Sequence, residues 1–91
     1  MEIRIVLYPD YEELMVLTMD PDDKVSSLRK TLNKMFRMWS FEYSLVYERE
    51  IMRDGSKTLE ECGITEEINT ILIRPGLQGL TRLKRFLRRI L

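Results

Sequence analysis

One amphipathic helix stands between two sets of alternating apolar residues, which restricts the chain to folds in which a helix packs on a sheet. From Lys24 to about Phe36, apolar residues recur at three- and four-residue spacing, the period of a helix with one buried face: Val25, Leu28, Leu32, Met35 and Phe36. The preceding segment Asp20-Pro21-Asp22-Asp23 predicts the helix start, because carboxylates accept the free N–H groups of a first turn.

Before the helix, two alternating segments predict an antiparallel hairpin. Residues 2–8 place Ile3, Ile5 and Leu7 on one strand face, and residues 15–19 place Met15, Leu17 and Met19 on one face of a second strand. Pro9-Asp10 lies between the two segments and reads as a turn. An N-terminal hairpin with one apolar face is therefore expected.

After the helix, the pattern predicts further short strands and one helical turn. The predicted elements are a third strand at Tyr43–Tyr47, a very short fourth strand at Ile51-Met52, a helical turn at Leu59–Ile64 that stops at Gly63, and a last strand at Thr70–Arg74. The nearly unbroken apolar run of the last strand favours a central position in the sheet. The fold class is therefore α+β.

The composition argues against an enzyme. Ninety-one residues make one domain, and the chain has no histidine and a single cysteine, Cys62. Histidine-based catalysis and the usual zinc sites are excluded by these counts. We predict no catalytic residue, no metal site and no cofactor. No apolar run reaches the roughly 20 residues of a membrane span and no signal peptide precedes the first strand, so a cytoplasmic or nuclear location is expected.

Five local motifs accompany this order of elements over residues 1–76: Met1-x-Ile3-x-Ile5, Met15-x-Leu17-x-Met19-x-Pro21, Val25-x-x-Leu28-x-x-x-Leu32, Leu45-Val46-Tyr47 and Asp54-Gly55-x-x-Thr58-Leu59-x-x-x-x-Ile64. In order and motifs, this part of the chain resembles the ubiquitin-like β-grasp superfamily. The resemblance implies a ββαββ–short helix–β domain with a mixed sheet. The spacing of the remaining residues, 77–91, predicts an appended amphipathic helix.

The end of this domain departs from the ubiquitin pattern. Ubiquitin-type modifiers end in a free Gly-Gly tail, whereas this chain has Arg74-Pro75-Gly76 followed by fifteen more residues. Proline fixes φ and adds a ring where a narrow catalytic channel needs glycine. Two chain-building lysines of ubiquitin correspond to Glu50 and Glu66. A non-conjugated interaction module is therefore the favoured function, and the alternative is a modifier or sulfur carrier processed after Gly76 or Gly79.

The sheet face opposite the helix is a candidate binding surface. Val46 resembles the central apolar residue of the ubiquitin recognition patch, and contiguous exposed apolar patches usually mark interaction sites. The alternative is that a few apolar residues are scattered normally over the surface. The predicted partner-binding residues on this face are Val6, Tyr8, Val46, Leu72 and Arg74.

The last fifteen residues form a basic amphipathic segment. Residues 1–76 carry ten basic and fifteen acidic side chains, a net of −5, whereas residues 77–91 carry five basic side chains and no acidic one. The apolar half of the predicted helix supplies candidate partner-binding residues at Leu80, Leu83, Phe86, Leu87 and Ile90. Its basic face consists of Arg82, Arg85, Arg88 and Arg89.

An isolated helix of this length is marginal in water, so its apolar half needs a cover. Four covers are open: the outward sheet face of the same chain (Val6, Val46 and Leu72), a second copy or a partner protein, an anionic membrane surface, or nucleic acid. We favour the first two. Protein partners are thus expected, with self-association through this helix left open, a membrane less favoured and nucleic acid disfavoured.

Two residues outside these surfaces are ambiguous. Trp39 follows the central helix and either packs over its end, which we favour, or anchors a partner. Cys62 lies on the apolar side of the predicted helical turn and is interpreted as a small core residue.

Overall fold

The chain folds into a five-stranded mixed sheet with a helix on one face and a second helix after the last strand. The computed structural model describes residues 1–39 and 42–90, without the side chains of residues 78, 82, 86, 89 and 90. The elements are β1 (Glu2–Leu7), β2 (Glu12–Thr18), α1 (Val25–Phe36), β3 (Tyr43–Tyr47), β4 (Glu50–Ile51), β5 (Thr70–Pro75) and α2 (Leu77–Ile90). Leu91, the end of the predicted C-terminal helix, lies outside the described residues.

The strand order is β2-β1-β5-β3-β4. Strands β1 and β5 run parallel, and the other three neighbouring pairs are antiparallel. The predicted N-terminal hairpin and the predicted central position of the last strand are both confirmed. Because β5 lies between β1 and β3, its two sets of alternating side chains lie between those of its neighbours on both faces.

The core lies between α1 and one face of the sheet, called here the inner face. Most residues of the predicted helix stripe and several inward strand positions belong to one buried cluster, in which these are at most 2% exposed: Ile3, Ile5, Val25, Leu28, Leu32, Phe36, Leu45, Ile71 and Ile73. At about 25 cal/mol per Å² of apolar surface removed from water, such burial is the main source of stability in a domain without disulfides. The opposite, outward face of the sheet is thus left for other contacts.

The start of α1 differs from the predicted capping. The cap residue is Lys24, and no side chain caps the helix. Instead, the N–H groups of Val25 and Ser26 donate to the carbonyl oxygens of Lys57 and Gly55 at 2.9 and 3.0 Å. Backbone carbonyls from a distant loop therefore replace the carboxylates expected from the Asp20–Asp23 segment.

Helix α1 ends at a residue in the left-handed conformation. Arg37 has a left-handed conformation with φ of 53°, and its N–H donates to the Asn33 carbonyl. Met38 then returns to the core at 4% exposure. Met35, which the spacing assigned to the buried stripe, is 39% exposed. The stripe is therefore narrower at its last turn than the spacing predicts.

A two-residue turn joins β3 to β4. Glu48 and Arg49 both have positive φ, 49° and 70°, as in the type I′ turns that suit the twist of a hairpin. This turn sets the register that pairs Tyr47 with Glu50 and Val46 with Ile51.

The segment predicted as a helical turn, residues 59–64, is a run of hydrogen-bonded turns. Thr58 and Glu61 cap each other: the Thr58 N–H donates to Glu61 Oε1 at 3.0 Å, and the Glu61 N–H donates to Thr58 Oγ1 at 3.1 Å. This reciprocal pair is a capping box. The segment ends at Gly63, whose φ of 89° suits glycine.

Helix α2 packs back on the domain from which it emerges. Leu83 is completely buried in the inner-face cluster, and Leu87 is half-buried against the same cluster. The Gly76 N–H donates to the Glu42 carbonyl at 2.8 Å, which holds the chain where it leaves β5. The first turn of the helix then passes close to Glu42 through Gly79.

Neither α1 nor α2, over the residues that the structure describes, has the length and apolarity that a membrane-crossing helix requires.

Candidate protein-interaction surface

A row of aliphatic side chains crosses the outward face of the sheet. Leu72 on β5 pairs with Val6 on β1 and with Val46 on β3, and Val46 pairs with Ile51 on β4. Residues directly opposite each other on neighbouring strands place their side chains on the same face. We call Val6, Leu72, Val46 and Ile51 the outward row. It brings together three of the five sheet residues predicted from the sequence.

Exposure increases along the outward row. Val6 is 3% exposed, Leu72 and Val46 are half-buried, and Ile51 is 39% exposed. Val6 is nearly closed to solvent and offers little surface to a partner. The surface available to a partner is therefore centred on Leu72, Val46 and Ile51.

Ile51 is a member that sequence reasoning missed. Its place in the row depends on the two-residue turn at Glu48-Arg49, which sets Ile51 opposite Val46. Neither turn residue is one of the asparagine, aspartate or glycine residues that mark such turns in a sequence. Only the assumption of a two-residue turn after Tyr47 would have placed Ile51 opposite Val46 from the sequence.

The other two predicted sheet residues, Tyr8 and Arg74, lie together beside the row. The Arg74 guanidinium carbon is 5.1 Å from the centroid of the Tyr8 ring, a cation–π arrangement. The Tyr8 N–H donates to the Ile73 carbonyl at 2.9 Å, which ties Tyr8 to β5 beyond the end of β1. Tyr8 is 45% exposed. A half-exposed aromatic ring with a cation on its face thus borders the aliphatic row.

Two further side chains extend this face toward the β2 edge. Val16 is 47% exposed and pairs with Arg4. Arg4 Nε lies 3.1 Å from Glu13 Oε1, and both side chains are more than half exposed. An exposed ion pair of this kind contributes about 0–1 kcal/mol, because water screens it. The outward face therefore combines apolar side chains with two arginines, Arg4 and Arg74.

The predicted residues of the C-terminal helix are divided between core and solvent. Leu83 is buried, while Leu80 and Leu87 are half-buried. Arg85 and Arg88, predicted for the basic face, are exposed, as is Lys84. The side chains of Phe86, Ile90, Arg82 and Arg89 lie outside the described residues. A completely buried Leu83 offers no surface to a partner while the helix keeps this position.

The domain itself covers Leu83 and part of Leu87, at a place other than the one considered in the sequence, while Leu77 at the start of α2 is 86% exposed. The buried cluster that contains Leu83 does not include Val6, Val46 or Leu72. Helix α2 therefore adds to the inner-face core, and the outward row keeps its exposure.

Trp39 is 63% exposed. The favoured interpretation, packing over the end of α1, is therefore wrong for this side chain. Met38, its neighbour, occupies the core position at the helix end instead.

Among the described residues, the cysteine is not activated and no cluster of side chains could hold a metal ion. Cys62 is half-buried against the core, and burial raises the pKa of its thiol. A raised pKa leaves little of the nucleophilic thiolate at neutral pH. Within residues 1–39 and 42–90, no three carboxylate or cysteine side chains lie close enough together to hold a metal ion.

Comparisons with known proteins identify the fold from structure alone. Neither a protein-family model nor a protein with a curated description matches the sequence. Among solved structures, the chain is similar to a ubiquitin from Caldiarchaeum subterraneum, with a TM-score of 0.73 and 20% identity over 84% of this chain and 92% of the other. It is also similar to the UBL domain of yeast Ddi1, with a TM-score of 0.70 and 20% identity over 85% and 90% of the two chains.

Both similarities extend over most of the chain, and the observed element order agrees with the ubiquitin-like pattern recognised in the sequence. The chain therefore has a ubiquitin-like α+β fold.

Proposed function

We propose that this chain is a non-enzymatic ubiquitin-like module that binds a protein partner through the outward face of its sheet. The observation that carries the proposal is the outward row, which crosses four strands and keeps Leu72, Val46 and Ile51 partly exposed. A continuous apolar surface with a polar border is the composition of a protein-binding site.

The border of the row supports a partner with acidic residues. Arg4, Arg74 and the Tyr8 ring flank the aliphatic side chains. Arg74 forms no ion pair with any residue that the structure describes. We therefore propose that the partner contributes an apolar ridge with carboxylates beside it, since complementary charge speeds association and sets orientation.

The exposed cations of α2 are proposed as an accessory part of this function. Lys84, Arg85 and Arg88 remain in solvent while Leu83 is buried in the core. Such a basic face can attract an acidic partner over a distance of about one Debye length, roughly 8–10 Å. The helix would then contribute electrostatic attraction rather than an apolar docking surface.

We also propose that the chain acts without being conjugated through its end. Pro75 pairs with Tyr43 in the sheet, the Gly76 N–H is bonded to the Glu42 carbonyl, and Gly79 lies in α2 against Glu42. These contacts would have to break before either glycine could be released for activation. Intact mass of the protein from its native cell tests this, because a chain shortened to Gly76 or Gly79 would contradict it.

The binding proposal is tested by two substitutions of equal exposure. Ile51 and Met35 are both 39% exposed, but Ile51 lies on the outward row and Met35 lies on α1. Ile51→Asp places a charge in the proposed interface, whereas Met35→Asp places the same charge away from it. Immobilised wild type, I51D and M35D are used to capture proteins from the native cell, and the captured proteins are quantified by mass spectrometry.

A partner of the outward row is expected to be retained by wild type and M35D and depleted at least about tenfold by I51D, the effect of one lost central contact. Titration of the purified partner with each variant then measures the affinity directly. Equal capture by all three proteins, with circular dichroism showing that I51D is folded, would contradict the proposed surface.

A further inference from the structure

A basic stripe runs along the exposed side of α1 to its end. Lys30, Asn33, Lys34 and Arg37 are spaced three and four residues apart, so they share one side of the helix. Lys30, Lys34 and Arg37 are exposed. None of the three forms an ion pair with another residue that the structure describes. The stripe therefore presents three charges that the described part of the chain does not neutralise.

This stripe forms one wall of a surface groove that has an apolar part. The groove has a volume of about 470 Å³ and is lined by Lys30, Asn33, Lys34, Arg37, Met38 and Trp39. Met38 is nearly buried, whereas Trp39 is 63% exposed. An indole left in water beside an apolar side chain is typical of a binding anchor, because tryptophan gains more from burial than most residues.

The groove is separate from the outward row. The opposite side of α1, with Leu28 and Leu32, packs on the inner face of the sheet. The outward row lies on the other face of the same sheet. The two surfaces therefore lie on opposite sides of the domain, and both can be occupied at once.

We propose that this groove binds an acidic segment of a partner protein, with one apolar side chain against Trp39 and Met38 and carboxylates against Lys30, Lys34 and Arg37. The charge pattern carries the choice of occupant, since three cations and no acidic side chain are found among the described residues that line the groove. The groove is open and spans only the last two turns of α1 and the residues that follow, an area that a short peptide segment covers.

The proposal is tested with a phage-displayed library of random dodecapeptides selected on the wild-type chain. Selected peptides are then titrated against two double variants with the same change in net charge. K30E/K34E reverses two charges of the groove, and K24E/K57E reverses two exposed lysines outside it. All four lysines are exposed, so both variants are expected to fold, and circular dichroism checks this.

The expected result is a group of peptides rich in Asp and Glu around one aromatic or leucine residue. These peptides should bind wild type and K24E/K57E equally, and bind K30E/K34E at least about tenfold more weakly, as for loss of close charge pairs. Trp39 is the single tryptophan of the chain, so its fluorescence should change on binding and Trp39→Ala should weaken binding.

Several results would overturn the proposal. One is a selection without acidic enrichment, or with acidic peptides that bind K30E/K34E as well as wild type. Another is loss of binding in I51D alone, which would assign the peptides to the outward row. Binding to vesicles of 70% phosphatidylcholine and 30% phosphatidylserine that is lost in K30E/K34E would assign the groove to a membrane surface. A dimer in light scattering that the same variant abolishes would assign it to a second copy.

Discussion

Gly79 in α2 lies directly against the backbone of Glu42. A Cβ built on Gly79 would overlap the Glu42 carbonyl oxygen and lie 3.2 Å from both the carbonyl carbon and the Cβ of Glu42. This close approach lets the helix enter the domain next to β3, although glycine inside a helix is unfavourable by about 1 kcal/mol relative to alanine. The glycine is therefore required by packing and not by helix formation.

Gly79→Ala is expected to destabilise the domain by about 1–3 kcal/mol, the range for overpacking, in spite of the better helix propensity of alanine. The free energy of unfolding in urea measures this, with Trp39 fluorescence and circular dichroism as probes. Gly76→Ala is the control, because a Cβ at Gly76 would lie 3.5 Å from the same carbonyl oxygen, an ordinary contact. A G79A variant as stable as G76A would show that α2 does not hold this position.

Leu83 and Leu77 provide a second comparison within α2. Leu83 is completely buried, and Leu77 is 86% exposed. Leu83→Ala should lower the free energy of unfolding by about 2–5 kcal/mol, because it leaves a cavity in the core. Leu77→Ala should change it by no more than about 0.5 kcal/mol, as for other surface sites. Equal effects of the two substitutions in urea unfolding would contradict the packing of α2 on the inner-face cluster.

The strands and the central helix could be predicted because their apolar residues follow the period of each element. The alternation of Ile3, Ile5 and Leu7 and the helical spacing of Leu28 and Leu32 both lead to buried side chains. In these segments the local pattern and the tertiary contacts agree, which is the condition under which sequence reasoning succeeds.

The features that could not be predicted depend on contacts between distant parts of the chain. The N–H groups of Val25 and Ser26 are satisfied by carbonyls about thirty residues later, and no local signal indicates that pairing. The acidic segment therefore predicted the position of the helix start correctly, but the prediction that its carboxylates cap the first turn is wrong.

The candidate surface shows the same division. Val46 and Leu72 were found from strand alternation, which assigns a side chain to a face. Ile51 was missed because its partner depends on turn length. The burial of Leu83 in the core could not be predicted from the sequence either. An amphipathic pattern indicates that one side of a helix is buried, but it does not indicate which surface buries it.

The β3–β4 turn offers a stabilising substitution. Glu48 and Arg49 both have positive φ. This conformation destabilises the folded state by roughly 1–2 kcal/mol for each residue that is not glycine, asparagine or aspartate. The double substitution E48N/R49G supplies the residues that type I′ turns prefer. It should raise the free energy of unfolding by about 1 kcal/mol or more.

Urea unfolding of E48N/R49G at neutral pH measures this gain. The reversed placement E48G/R49N is a second test. Glycine and asparagine again occupy the two positions of positive φ, so this variant should also be more stable than wild type. A Pro substitution is not suitable, because proline cannot adopt positive φ. Loss of stability in both variants would contradict the assigned turn.

Tyr47 is expected to make the stability of the domain depend on alkaline pH. Its hydroxyl lies 3.0 Å from the Gly63 carbonyl oxygen and 2.8 Å from that of Ile68, and only the protonated phenol can donate to them. Burial, with smaller effects of Glu48 and Cys62, raises the pKa of Tyr47 above its usual value of 10.0. The folded state therefore holds this proton more tightly than the unfolded state does.

The contribution of Tyr47 should be fully present below the pKa of the unfolded state, about 10, and should be lost as pH rises through the higher pKa of the folded state. Tyr47→Phe should cost about 0.5–1.5 kcal/mol at neutral pH, the net contribution of one hydrogen bond, because the phenol has a single proton to share between the two carbonyls. Its stability should then fall less steeply than that of wild type above about pH 10. Part of the slope should remain, because burial also raises the pKa of Tyr43.

Urea unfolding at a series of pH values from about 7 to about 11 tests this, a range that spans the ordinary tyrosine pKa. Tyr11→Phe is the matched control, because Tyr11 is 63% exposed and the same oxygen atom is removed without loss of a buried contact. Y11F should follow the wild-type curve at every pH. If Y47F and wild type lose stability in parallel as pH rises, ionisation of Tyr47 does not limit the alkaline stability, and its hydroxyl does not bridge the residue 63–68 loop to β3.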